Sequence, residues 1–227
     1  MKLSVIMPVF NEESTIEKIV HRVKKVNIDK QIIIVDDGST DRTREILKKW
    51  KDENIRVIYH KRNQGKGSAI RTAIPYVEGE VTVIQDGDLE YDPQDYHTLI
   101  RPILDGKAKV IYGSRFLKFN KPIYLRFLLG NKFLTWLINL LYHSKITDSY
   151  TCYKAFETDV LKSLTLRAKK FEFEAEVTVK LLKKGYNLQE VPISYSPRTL
   201  REGKKISWKD ALLGILTIVK HKYSRRD

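Results

Sequence analysis

Four short stretches of this sequence concentrate side chains that could handle a charged ligand. They are Pro8-Val9-Phe10-Asn11-Glu12, Asp36-Asp37-Gly38-Ser39, Arg62-Asn63-Gln64-Gly65-Lys66-Gly67 and Gln85-Asp86-Gly87-Asp88-Leu89-Glu90. The sharpest is Asp86-Gly87-Asp88. Two hard oxygen donors one residue apart can hold Mg²⁺ or Mn²⁺, with diphosphate oxygens completing the shell. A cation held there would neutralise charge developing on a leaving nucleoside diphosphate. A plain polar turn is the alternative, since Asp-Gly is a common loop pair. A second acidic pair, Asp36-Asp37, favours the metal reading. Lys61 stands where a Walker A loop has its first glycine, and Gly65-Lys66-Gly67 runs into Ser68, Ala69 and Ile70 without a third glycine. P-loop NTPase and dinucleotide readings therefore drop out.

Each stretch follows an apolar, largely β-branched run: Leu3–Val9, Gln31–Val35, Ile55–Tyr59 and Val81–Ile84. Helix-like segments lie between them, over Glu12–Lys25, Asp41–Lys51 and Gly65–Val77, and the first carries Ile16, Ile19, Val20 and Val23 at helical spacing. Asn11 is the expected cap of the first helix, Ser39 stands ahead of the second, and Asp92-Pro93-Gln94-Asp95 places a cap, a first-turn proline and an acid in order. This alternation predicts βαβ units and a mostly parallel sheet, whose ligands sit beyond the carboxyl ends of the strands. The four stretches occupy that edge.

The 227 residues carry 42 Lys+Arg against 28 Asp+Glu, a formal charge of +14, with 42% hydrophobic residues. That much apolar content buries a core and excludes wholesale disorder. One cysteine rules out an internal disulfide and a multi-thiolate zinc site. The first residues read as a strand and lack a cleavage pattern, and no run of apolar residues is long enough to span a bilayer. The expectation is a soluble or membrane-peripheral intracellular protein. The excess charge lies in residues 101–145 and 198–227; elsewhere acids and bases balance. Clustered cations suit nucleic-acid phosphates or an anionic membrane surface.

In this order, VIMPVFNEE, IIIVDDGSTD, NQGKGSAIRTAI and VIQDGDLEYDP resemble a family 2 glycosyltransferase with the GT-A fold. Further on, Gly113-Ser114-Arg115, TDSYTCYKAF (147–156), FEFEAEV (171–177) and PISYSPRTLREGKKISWKDAL (192–212) resemble the dolichol-phosphate mannose synthase branch. The resemblance implies one GT-A domain over 1–227: a Rossmann-like sheet flanked by helices, with amphipathic C-terminal helices. Residues 1–112 would form the nucleotide-sugar-binding half, and 113–227 the acceptor-binding, membrane-facing half. It implies inverting, metal-dependent transfer of a hexose from a nucleotide sugar to a dolichyl or polyprenyl phosphate. GDP-mannose is the favoured donor and UDP-glucose the other. Pro8, Phe10 and Glu12 would line the nucleoside pocket, Asp37 with Asp36 would contact base or ribose, and Lys66 would lie near the nucleotide. Asp86, Gly87 and Asp88 would meet the metal and diphosphate, with Glu90 where this branch often has a metal-reaching glutamine. Arg115, Arg126, Arg198 and Lys204 would face the phosphates of donor and acceptor. The sequence departs from the branch at Gly130-Asn131, where Ser-Arg is frequent.

A phosphate acceptor is already anionic and needs cations rather than a base, whereas a hydroxyl acceptor needs a carboxylate to take its proton. Glu172, Glu174 and Glu176 are the candidate bases; on a helix Glu172 and Glu176 share a face and Glu174 points elsewhere, and a solvated helix start is the plain alternative. Arg198, Arg201, Lys204 and Lys205 surround Gly203 as a basic loop able to close on a diphosphate. Cys152 is expected to pack as a small hydrophobe, and the five histidines show no ligand spacing. Over residues 123–142, Asn131, Thr135 and Asn139 make a narrow polar stripe among leucines, phenylalanines and Trp136. With Arg126 and Lys132 in the same segment, the helix is expected to lie in a membrane interface, with core packing or dimerisation as the plain alternative. Apolar surface among the cations favours the cytoplasmic face of a membrane over nucleic acid. The remaining readings are a glycosyltransferase acting on a saccharide or lipid hydroxyl and, more distantly, a basic nucleic-acid-binding protein.

Overall fold

The computed structural model describes residues 1–122, 124–198 and 208–224. Strands β1 (Leu3–Val9), β2 (Lys30–Asp36), β3 (Ile55–Tyr59), β4 (Val81–Ile84), β5 (Val110–Ser114), β6 (Lys154–Glu157) and β7 (Gln189–Pro192) form one sheet in the order β3-β2-β1-β4-β6-β5-β7. Pairing is parallel except at β6, which runs antiparallel to both β4 and β5. Helices α1 (Ile16–Lys25), α2 (Thr43–Lys48), α3 (Lys66–Ala73), α4 (Tyr96–Leu104), α5 (Leu125–Tyr142), α6 (Thr158–Lys162), α7 (Phe173–Lys183) and α8 (Trp208–Tyr223) complete the described chain. The expected mostly parallel α/β architecture is what the chain adopts. β1 and β4 are buried along their whole length because both faces of the sheet are covered, which is why these strands read as unbroken apolar runs. From β1 the chain passes to β2 and β3 on one side and to β4 on the other. This reversal opens a crevice at the carboxyl ends of the strands.

Helix starts differ from expectation for a local reason. α1 begins at Ile16 rather than Glu12, and Asn11 adopts a left-handed φ of 51°. The Asn11 carboxamide accepts from Thr40 N (2.8 Å) and its backbone N–H donates to Ser39 Oγ (2.9 Å), so it ties the turns after β1 and β2 together instead of capping a helix. Ser39 is spent in the same stitch, and α2 starts only at Thr43. Asp92 does cap as expected, accepting from Gln94 N at 3.1 Å ahead of a short 3₁₀ turn.

α5 has its polarity inverted. Its polar stripe faces the protein: Thr135 pairs with Ser149 (2.8 Å), Asn139 donates to the Ile146 carbonyl (2.8 Å), and Asn131 lines the crevice. Its apolar side faces outward, with Leu125 68% and Trp136 55% exposed. α8 packs against α5 and α7, and also turns leucines outward; Leu216 is 56% exposed. Among the described residues no helix is long and apolar enough to cross a membrane.

Candidate active site

The crevice holds a cavity of about 690 Å³. Its floor is laid by the turns that leave β1, β2 and β4. Asp86 and Asp88 follow β4, whose end is fixed by Gln85: the Gln85 carboxamide oxygen accepts from the hydroxyls of Tyr96 (2.6 Å) and Tyr153 (2.7 Å). Leu89, between Asp88 and Glu90, adopts a left-handed φ of 64°, a conformation a branched side chain enters only under constraint. Glu12 is placed by its backbone N–H on Thr43 Oγ1 (2.8 Å). Asp37 accepts from Gln64 N (2.9 Å), Gly65 N (2.7 Å) and His60 Nδ1 (2.7 Å), which shapes the entry into α3. Gly65 is required there: its φ is 96°, and a Cβ would collide with the Lys169 carbonyl.

Charges in the cavity are paired across elements far apart in sequence. Lys66 Nζ stands 2.9 Å from Asp86 Oδ1 and 3.0 Å from Glu174 Oε1. On its other oxygen Glu174 takes a bond from the fully buried Lys154, which also donates to the Thr151 carbonyl. Burial works against the Lys66 ammonium, but Asp86 and Glu174 hold its pKa well above the ordinary value. Burial pushes Asp86 up, and Lys66, together with Cys152 and Arg198, outweighs it, leaving that carboxyl below the usual range. Burial lowers Lys154 in spite of Glu174. Burial also raises the Cys152 thiol well above its usual value, so this side chain is the buried small hydrophobe expected of it. On the far wall Arg115 is bidentate with Asp148, and its guanidinium lies 5.1 Å from the centre of the Tyr195 ring.

Pro8, Phe10, Glu12, Asp37, Lys66, Asp86, Gly87, Asp88, Glu90, Arg115, Arg126 and Arg198 all line this one cavity. Asp36 does not: it is fully buried, paired with Arg44 Nε at 2.7 Å and accepting from Ser39 N at 3.1 Å, so it braces the turn that presents Asp37. Lys204, Arg201 and Lys205 lie outside the described residues. The glutamates at the start of α7 divide as expected, with Glu172 and Glu176 on one side and Glu174 on another. Glu174 points into the cavity, and Glu172 and Glu176 cap backbone N–H groups of residues 167–170. A solvated helix start is excluded, since Glu174 and Glu176 are 3% and 2% exposed. Asp148, Lys154, Tyr91 and Tyr195 were not singled out in the sequence. Each acts through a partner more than ten residues away, which no local pattern reveals.

The donor set fits a divalent cation held by one or two carboxylates, with substrate phosphates and water completing its shell. Asp86 and Asp88 lie on the same cavity wall, each neutralised by a cationic side chain, Lys66 and Arg198 respectively. Among the described residues no group of three or more His, Cys, Asp and Glu side chains forms a self-contained cage.

Comparison with known proteins agrees with the geometry. A chain of glucosyl-3-phosphoglycerate synthase from Mycobacterium tuberculosis, solved with Mn²⁺, UDP and phosphoglyceric acid, superposes with a TM-score of 0.77 at 20% identity, covering 100% of this chain and 80% of that one. It establishes the shared GT-A fold. UDP-N-acetylglucosamine–dolichyl-phosphate N-acetylglucosaminyltransferase of Methanococcus voltae is 32% identical over 88% of this chain and 89% of its own length. Dolichol-phosphate mannosyltransferase of Pyrococcus furiosus is 28% identical over 90% of this chain, which spans 59% of that protein. The family model described as Glycosyl transferase family 2 matches residues 4–165, more than half of the sequence, and the chain belongs to that family of glycosyltransferases.

Proposed function

We propose that this glycosyltransferase transfers a hexose, with inversion, from a nucleotide sugar to a polyprenyl phosphate at a membrane surface, with a divalent cation at Asp86 and Asp88. GDP-mannose is the favoured donor and UDP-glucose the other. The observation that carries the acceptor class is the state of Glu174. The side chain best placed to act as base is ion-paired with Lys66 on one oxygen and bonded by Lys154 on the other. Both oxygens of that carboxylate are thus already engaged by ammonium groups rather than turned to an incoming hydroxyl, whereas an anionic phosphate needs no base. The cavity is instead walled by Lys66, Arg115, Arg126, Lys170 and Arg198.

In this reading residues 1–112 hold the nucleotide sugar, and 113–227 hold the acceptor and meet the lipid. Pro8, Phe10 and Asp37 bound the nucleoside pocket. A phosphate oxygen of the acceptor attacks the anomeric carbon from the face opposite the diphosphate. The new C–O bond forms as the bond to the nucleoside diphosphate breaks, and no proton is removed. The cation supplies Lewis-acid stabilisation of the departing diphosphate. Arg126 and Arg198 bring the two anions together, and Lys66 keeps Asp86 ionised and aimed. The relatives named for dolichyl-phosphate transfer support this acceptor class.

The outward apolar faces of α5 and α8 support the membrane side of the reading. Leu129, Trp136 and Leu140 on α5 lie among Arg126 and Lys132, and Leu216 on α8 precedes Lys220 and Lys222. Apolar side chains flanked by cations suit a helix lying in an anionic interface.

The test uses radiolabelled GDP-mannose, UDP-glucose and UDP-N-acetylglucosamine, each with Mn²⁺ and a polyprenyl phosphate. Label is expected in the organic phase from one donor and to vanish in Asp88→Ala. If no donor labels the lipid while nucleotide sugar still binds, the phosphate-acceptor reading fails. If Glu174→Gln then lowers transfer to a hydroxyl acceptor by about 10²–10⁴ with donor affinity intact, a carboxylate base is at work.

A further inference from the structure

Glu90 is fastened on every side to the segment that carries Arg198. Its Oε1 accepts from Arg198 N (2.7 Å) and its Oε2 from the Tyr195 hydroxyl (2.7 Å). Its carbonyl accepts from Ser196 N (2.8 Å), and the neighbouring Tyr91 forms a β-bridge with Tyr195. Its own N–H donates to Asp88 Oδ1 (3.1 Å). Held this way, Arg198 extends its guanidinium back into the cavity, with Nη2 2.8 Å from Glu12 Oε1 and 3.0 Å from Asp88 Oδ2. Arg198 therefore neutralises the same Asp88 carboxylate that a divalent cation requires.

We propose that Arg198 and the divalent cation compete for Asp88, and that Glu90 is a positioning residue that clasps the Arg198 backbone beside that seat rather than a ligand of the metal. The proposal rests on the reading of Asp88 as a metal carboxylate. A cation arriving alone must displace a charge-assisted pair that already satisfies Asp88 and Glu12, so its affinity is low. A cation arriving with a nucleoside diphosphate brings an anion that the displaced guanidinium can hold while its backbone stays clasped. Metal and nucleotide consequently bind with positive coupling, and by linkage each tightens the other by the same factor. Arg198 thus serves in turn as the counter-charge of the empty site and as a phosphate ligand of the loaded one.

The test is titration of Mn²⁺, followed by electron paramagnetic resonance of the free ion, with the protein alone and with GDP or UDP. In Arg198→Ala, nucleotide-free Mn²⁺ binding is expected to tighten about tenfold and its enhancement by nucleotide to shrink by a similar factor. Glu90→Ala should tighten nucleotide-free binding in the wild-type background and change nothing further in the Arg198→Ala background. Tyr195→Phe leaves the Glu90 carboxylate in place, loosens the same clasp and should act in the same direction, which keeps the test open if Glu90→Ala does not fold. A metal-ligand role for Glu90 requires the opposite: Glu90→Ala weakening Mn²⁺ in both backgrounds. Binding that Asp88→Ala abolishes but Arg198→Ala leaves unchanged overturns the competition alone. Absence of Mn²⁺ binding even with nucleotide overturns both this proposal and the metal-dependent reading beneath it.

Discussion

The Arg115 guanidinium is locked onto Asp148, with Nε 2.7 Å from Oδ2 and Nη2 2.8 Å from Oδ1, and the Arg115 backbone N–H also donates to Oδ2 at 3.1 Å. Both side chains are buried; burial disfavours the charge, but Asp148, Tyr91 and Tyr195 together hold the guanidinium well above its ordinary pKa. Arg115 is therefore a fixed cation of the cavity wall, fully charged and unable to swing.

Removing one partner of such a pair leaves an uncompensated buried charge. Asp148→Ala is expected to destabilise the protein by about 3–5 kcal/mol. The melting temperature should fall by roughly 10 °C in calorimetry. A loss under about 1 kcal/mol would mean that the pair behaves as an exposed one.

Lys66 sets the acid limit of the site. Burial pushes the Asp86 carboxyl up, and Lys66, the main opposing group, outweighs it together with Cys152 and Arg198, so the net shift is downward. A depressed carboxyl contributes stability that is present above its unfolded pKa of about 3.9 and is lost as pH falls through the lower folded value. Lys66→Met removes the opposing charge and leaves burial to raise Asp86. Donor affinity measured against pH should then fail at a higher pH in the variant than in the wild type, with the alkaline side unmoved. Coincident acid limbs would assign the limit to another group.

How far the sequence reached depends on the range of each interaction. The residue pattern predicts β1, β3 and β4 with the observed boundaries because a strand covered on both faces, or bounded by turns, announces itself in consecutive residues. The carboxyl-edge rule placed Asp86, Asp88 and Glu12 in one cavity for the same reason. Asp36 and Asp37 are adjacent and chemically identical, yet one braces a turn and the other lines the cavity. Only the position of Arg44, packed back on β2, decides between them. Lys154 and Glu174 meet across twenty positions through the antiparallel β6 and the first turn of α7, and β6 breaks the alternation from which the rest was read. The stripe of α5 was visible as a periodicity, but not its direction, because Ser149 and the Ile146 carbonyl that receive it lie in a separate loop.

The apolar face gives a lipid-binding prediction. Trp136 and Leu216 are just over half exposed, so about half of the ~1.5–3 kcal/mol available from burying each remains to be gained on docking. Trp136→Glu and Leu216→Glu are each expected to weaken sedimentation with phosphatidylglycerol vesicles by roughly tenfold. Wild-type binding should weaken as salt rises, since Lys132, Lys220 and Lys222 contribute through a screened attraction. Vesicle binding that ignores both the glutamates and the salt would place the lipid contact elsewhere.

The seam beneath that face is set by Tyr150 and Gly214. The Tyr150 hydroxyl is buried, finds no hydrogen-bond partner among the described residues, and lies where a Cβ on Gly214 would collide with it. Gly214 is thus the contact that lets α8 close onto the wall of the cavity. Gly214→Ala forces α8 away from Tyr150 and should cost about 1–3 kcal/mol. Tyr150→Phe removes an unsatisfied polar atom and opens the missing space. In that background the nearest atom to the new Cβ is the ring Cζ at 3.3 Å, so Gly214→Ala meets only a mild contact, which the helix propensity of alanine over glycine, about 0.5–1 kcal/mol, offsets. Calorimetry of the two single variants and the double variant should therefore show non-additivity: alanine at 214 destabilises opposite tyrosine and costs little opposite phenylalanine. Additive effects would show that the hydroxyl does not control the approach of α8.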